Sequence, residues 1–256
     1  MNLSRRGRPA LVLAAFAAAT LAWAGCGGHG AAHTGAASAP VRSRAPAGSA
    51  VTVARARAFA RAVNLRRSDV PGFTLAAATR ERETPSQLRL QKQLDACLGG
   101  GGENHGQGLE ASSGEFRHQS GLLDVTVSSA VSFLASAADA GRELGLLRSR
   151  HTGSCLSAYL DARYGGKRLG AVVIGHVTIK QGTPPAPGTE GGFAWRIDAP
   201  LHLRGIAVPF YLDMLGFVYR QAEVRLVSSS VIAPFPAAGQ ETLFRLLLAR
   251  AKSQRL

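Results

Sequence analysis

The sequence predicts an α+β fold: a single domain whose largely antiparallel β-sheet is packed by helices and carries one disulfide. Three observations lead there. Helical periodicities come in clusters near the start, in the middle and at the end, while stretches of alternating apolar and polar residues run consecutively between them. Consecutive strands without intervening helices favour antiparallel pairing. Finally, 256 residues that are 46% apolar suffice for one sizeable core, and no internal repeat suggests several small ones.

Residues 1–25 read as an export signal. Arg5, Arg6 and Arg8 form its positive segment, and Ala10 to Ala24 is apolar but too short to span a bilayer comfortably. The junction Ala24-Gly25-Cys26 resembles a bacterial lipoprotein signal, whose Leu-Ala-Gly-Cys-like box is cut before a cysteine that carries diacylglycerol. Trp23 stands where Leu is usual. The expectation is lipid attachment at Cys26, with an ordinary secretory peptide or an uncleaved anchor as alternatives. Residues 26–50, rich in Gly, Ala, Ser and Pro, then form a flexible tether. His29 and His33 lie four apart on it, which on such a spacer is weak support for a metal.

The folded domain occupies residues 51–256. "VTVARARAFARAVNL" puts Val51, Phe59 and Val63 near one helical face, and "RSDVPGFT" ends that helix with turn chemistry. Thr84-Pro85-Ser86-Gln87 opens a second helix, with Leu90, Leu94, Cys97 and Leu98 on one stripe. From 123 to 133 the odd positions are mostly apolar and the even ones mostly polar, so this strand should have one buried face. Ser136 with Asp139 starts a helix carrying Ala140, Leu144 and Leu147. A following helix holds Cys155 and Tyr159 and stops at Gly165-Gly166.

Leu169, Ala171, Val173, Val177 and Ile179 alternate with polar or small residues. Phe193, Trp195, Ile197, Leu201 and Leu203 do so again, and segments 206–218 and 222–230 form the last hairpin. "GQETLFRLLLARA" closes the chain as an amphipathic helix with Leu243, Leu246 and Leu247 inward.

Three cysteines in an exported protein leave one over. With lipid on Cys26, Cys97 and Cys155 remain as a natural disulfide pair, both thiols pointing inward from their helices. Two free buried thiols are the alternative.

The formal net charge is +14, which favours anionic partners such as phospholipid head groups or envelope polymers. The bases are scattered, and all but Lys92, Lys167, Lys180 and Lys252 are Arg. No nucleic-acid-binding motif accompanies them, so nucleic acid is not an expected partner.

Catalytic templates fail in turn. There is no G-x-S-x-G, no Ser three residues before a Lys, and no H-E-x-x-H. "DARYGGKR" lacks the first Gly and the final Ser or Thr of a phosphate loop. A bonded cysteine pair disfavours a Zn-thiolate site. "GGGGENHG", with Asn104 and His105, reads as a surface loop. No catalytic residue, cofactor or metal is therefore expected. One constellation remains: Arg196, Asp198, His202 and Arg204 share a strand face, either as its solvated side or as the polar wall of a cleft for an anionic or amphiphilic ligand.

The order of "LRRSDVPGFT", "CLGG", "SSGEF", "VSFLASAADA", "SCLSAYL" and "APFPAA" resembles the sensor-domain-like and PsbP-like lipoproteins of actinobacteria, a group that includes outer domains of some membrane-anchored serine/threonine kinases. The resemblance covers about residues 52–252, with Asp69, Pro71-Gly72, Cys97, Phe116, Phe133, Cys155 and Pro236 in matching positions. It implies an antiparallel sheet packed by helices, outside the membrane, with a cleft and no established chemistry. Kinase sensor domains often hold two disulfides, whereas one pair is available here. The expected function is a lipid-anchored, non-catalytic binding protein at the extracytoplasmic face of the cell membrane. A lipid or glycolipid carrier is the alternative, and an exported hydrolase with an unfamiliar site the third. The oligomeric state is left open.

Overall fold

Local chemistry starts the helices. In this computed structural model, Thr84 Oγ1 accepts from the Gln87 amide while Gln87 Oε1 accepts from the Thr84 amide, 3.3 and 2.7 Å apart. That reciprocal cap begins α2 (Pro85–Cys97). Thr52 caps α1 (Val53–Val63), and Ser136, accepting from the Asp139 amide at 3.1 Å, caps α3 (Ala137–Arg148). Ser149 separates α3 from α4 (Arg150–Tyr164), and α5 (Ala237–Ser253) ends the chain.

The structure describes residues 51–77, 84–98, 109–121, 123–169, 171–203 and 205–256. The export signal, Cys26, the tether, the "GGGGENHG" loop and Arg204 lie outside the described residues.

Ten strands form one sheet: β1 (Thr74–Leu75), β2 (Glu110–Ser112), β3 (Phe116–Ser120), β4 (Leu123–Phe133), β5 (Arg168–Leu169), β6 (Val172–Ile174), β7 (Thr178–Gly182), β8 (Gly191–Leu203), β9 (Ile206–Tyr219) and β10 (Ala222–Val231). The order is β1-β3-β4-β10-β9-β8-β6-β5, with β2 added beside β4 and β7 beside β8. Every pairing is antiparallel. The long β8-β9-β10 meander is its centre, and the expected last hairpin is β9-β10, with Tyr219 opposite Ala222.

Each face of the sheet has its own core. On one, α2, α3 and α4 cover Phe193, Trp195 and Ile197 of β8 and Phe210 and Leu212 of β9. Trp195 satisfies its indole N–H on the Leu147 carbonyl, 2.8 Å away. On the other, α1 and α5 pack Phe59, Val63, Phe244 and Leu247 against Val131, Phe133, Phe217 and Val224. A methyl on Gly216 would meet Phe193 Cζ at 2.3 Å and the Val224 carbonyl oxygen at 2.9 Å, so the Phe193 ring needs glycine beneath it.

Four expectations are corrected. The strand at 123–133 is buried on both faces, because Asp124, Thr126 and Ala130 are covered as well as the valines. In β6 the buried residues are Val172 and Ile174, not Ala171 and Val173. Val172 is registered opposite Leu203 and Ile174 opposite Leu201, so the even positions of β6 share the inward face of the odd positions of β8. In α5, Phe244 and Leu248 are buried beside Leu243 and Leu247, while Leu246 is only half-buried. Finally, the two cysteines do not both point inward: Cys155 is buried, but Cys97 is exposed.

Candidate functional site

Even-numbered residues of β8 face away from α2, α3 and α4, toward the side on which α5 packs over β9 and β10. This places Arg196, Asp198 and His202 on one face, as their spacing predicts. The neighbouring strands extend the array, since Lys180 is registered with Arg196 and Thr178 with Asp198 on β7, while Asp213 and Tyr211 match them on β9.

The charges are paired across strands. Arg196 donates to both carboxylate oxygens of Asp213, at 2.6 and 3.0 Å, and Asp213 is almost fully buried. The Asp213 hydrogen bonds, aided by the charges of Asp213, Asp198 and Tyr211, hold the Arg196 guanidinium more basic than usual despite its partial burial. Lys180 Nζ lies 3.1 Å from Asp198 Oδ2. His202 stands apart, exposed beside Gly175 and Pro200, about 13 Å along the strand from Asp198. Arg204 lies outside the described residues.

Two polar atoms on this face lack a partner. Asp198 Oδ1 and Ser230 Oγ are both shut away from solvent with no hydrogen bond. Ser230 of β10 is registered opposite Tyr211, which is itself opposite Asp198. The two orphans therefore lie two strands apart, roughly 10 Å. A buried carboxylate oxygen left unmatched is costly, so a hydroxyl or amine that reached it would gain a hydrogen bond. Ser230 carried no signal in the sequence, where it belongs to an ordinary Ser228-Ser229-Ser230 run.

A second polar cluster, also invisible in the sequence, sits under the opposite face. Arg225 is buried among Glu110 (2.9 Å), Glu223 (3.2 Å) and the Ser132 hydroxyl (2.8 Å). Burial pushes the Glu223 carboxyl up to about 7; Arg225 opposes this, and the charges of Glu143 and Glu110 add to it. At the β3 edge Arg117 binds Asp124 through two nitrogens. Burial also pushes Glu115 up, Arg117 opposing and Asp124 adding.

Cys97 and Cys155 are joined as a disulfide, with Cα atoms 5.9 Å apart. His151, unnoticed in the sequence, puts Nε2 3.6 Å from Cys155 Sγ and 2.7 Å from the Cys97 carbonyl oxygen. Among the described residues, no helix is long and apolar enough to cross a membrane.

No family model matches the chain, and no curated protein matches it. Among solved structures, the extracellular domain of PknH from Mycobacterium tuberculosis is similar in fold, with 10% identity and a TM-score of 0.39, covering 80% of this chain and 98% of that one. A similarity of this degree leaves the site to its own residues.

Proposed function

We propose that this chain is a non-catalytic, lipid-anchored binding protein on the extracytoplasmic face of the cell membrane. The export signal ending at Cys26 supports the anchor, and a disulfide between the other two cysteines suits an oxidising compartment. The observation that carries the binding role is the pair of buried, unpartnered oxygens at Asp198 and Ser230 on a partly exposed sheet face. Because Lys180 and Arg196 already hold carboxylates, the face suits an amphiphile whose head group donates hydroxyl or amine protons better than a simple anion.

Two measurements test this. Cys26→Ala should move the protein from the membrane fraction to the medium, or leave an unprocessed precursor; unchanged fractionation and mass would refute the anchor. A photo-crosslinking residue at Lys180 should capture an envelope component that one at Arg245, exposed on α5, does not. Equal labelling at both positions would refute the site. Lipid retained in native mass spectra of the extracted protein would assign it to a carrier instead.

A further inference from the structure

The corner where α2 meets α4 holds more chemistry than a cross-link requires. Cys97 is the last residue of α2 and is exposed, whereas Cys155 is buried. His151 and Cys155, four apart, lie on the same face of α4. An imidazole nitrogen and both sulfurs all fall within 4.8 Å of one another. An ordinary role for His151 is to bond the last carbonyl groups of α2, and its 2.7 Å approach to the Cys97 oxygen fits that. The capping bond does not require both sulfurs to converge on the same nitrogen.

We propose that reduction of the Cys97–Cys155 disulfide turns this corner into a binding site for one zinc-like cation, held by Cys97 Sγ, Cys155 Sγ and His151 Nε2 with a fourth position open. With metal–sulfur bonds of about 2.3 Å and a metal–nitrogen bond of about 2.0 Å, a tetrahedral centre sets nitrogen and sulfur about 3.5 Å apart and the two sulfurs about 3.8 Å apart. The Nε2–Sγ distance to Cys155 is already 3.6 Å. The sulfurs, bonded here, must separate, and Nε2 must exchange its bond to the Cys97 carbonyl for the cation; Cys97, exposed at a helix end, is the partner placed to turn. Two thiolates and an imidazole select zinc, cobalt or cuprous copper over calcium or magnesium, which prefer oxygen ligands.

The reaction balances with a small-molecule thiol as reductant. A first thiolate attacks Cys97 Sγ, the sulfur–sulfur bond breaks, and Cys155 leaves as a thiolate that takes up a proton. A second thiol cleaves the mixed disulfide, giving two protein thiols and one oxidised reductant. The divalent cation then displaces both thiol protons, the imidazole proton moves from Nε2 to Nδ1 as the bond to the Cys97 carbonyl is given up, and two thiolates neutralise the cation's charge.

The test uses the full chain carrying Cys26→Ser, so that only these two thiols remain, with Co²⁺ as the probe. After treatment with a phosphine reductant, one equivalent of Co²⁺ should produce sulfur-to-cobalt charge-transfer absorption with tetrahedral ligand-field bands, and Zn²⁺ should abolish them. The oxidised protein should show neither. Cys155→Ser should remove the charge-transfer band, and His151→Ala, which leaves the disulfide able to form, should weaken binding about tenfold or more. Circular dichroism follows the fold throughout. A reduced protein that unfolds but refolds on adding Zn²⁺ also supports the site. Reduced protein that stays unfolded with Zn²⁺, shows no charge-transfer band, or binds equally after His151→Ala overturns it.

Discussion

Glu223 makes the stability of this domain pH-dependent, and the sign follows from its surroundings. The carboxyl is buried on β10 with Arg225 beside it, Glu110 and Ser132 on neighbouring strands, and the Glu143 charge from α3. Its pKa rises from an ordinary 4.5 to about 7. A folded-state value above the unfolded one contributes stability that is fully present below about 4.5 and lost as pH rises through about 7. That interval is worth about 3 kcal/mol, most of which falls between pH 5 and pH 8. Replacing Glu223 with Gln keeps the shape and removes the titration. Urea unfolding at pH 5, 6, 7 and 8 should show wild-type stability falling more steeply than that of Glu223→Gln, the two alike at pH 5 and the variant ahead by about 2–3 kcal/mol at pH 8. The Glu115 carboxyl, also raised by burial, tilts both proteins alike. Parallel curves, or a wild-type curve that rises with pH, would refute the reasoning.

Three further outcomes are expected. Gly216→Ala should cost about 1–3 kcal/mol in urea unfolding, because its methyl would enter the space of the Phe193 ring and the Val224 carbonyl. Non-reducing peptide mapping should yield a linked Cys97–Cys155 peptide, and replacing both cysteines with Ala should cost about 4 kcal/mol, given the 58-residue separation. Burial pushes the Asp69 carboxyl up, but hydrogen bonds from Arg250 and the Arg66 amide, with both guanidinium charges, hold it below the usual range. Its contribution is therefore present above the ordinary carboxylate value and lost as pH falls through the folded one, so Arg250→Ala should cost about 2 kcal/mol at pH 7 and progressively less in acid.

What the sequence reveals is what is decided locally. Thr84 with Gln87 and Ser136 with Asp139 interact three residues apart, so both helix starts are legible. The α+β class follows from periods that the meander obeys over more than thirty residues. The even face of β4 is illegible because its polar residues are satisfied by partners on other strands: Asp124 with Arg117 on β3, Thr126 with Ser229 and the half-buried Ser132 with Arg225 on β10. A polar residue in an alternating strand reads as solvated unless its partner is known, and those partners lie up to 103 residues away. The candidate site is half-legible for the same reason. Spacing put Arg196, Asp198 and His202 on one face, but their pairing with Asp213 and Lys180, and the nearness of Ser230, depend on strand order.

That strand order also explains why a polar face exists at all. Eight strands in the main path span roughly 34 Å at about 4.8 Å each, whereas two helices cover only about 20 Å. On the face carrying α1 and α5, the helices lie over β4, β9 and β10, and among the described residues no helix lies over the β8-β6-β5 side. Polar residues suit strands that no described helix covers, and Arg196, Asp198 and His202 alone do not mark a site. A merely solvated face would leave each charge to water or to a neighbour, as Lys180 is left. Asp198 Oδ1 and Ser230 Oγ instead have neither water access nor a partner. Fold economy predicts a polar surface, not sequestered oxygens upon it, and that difference is the reason for proposing a binding site on these strands.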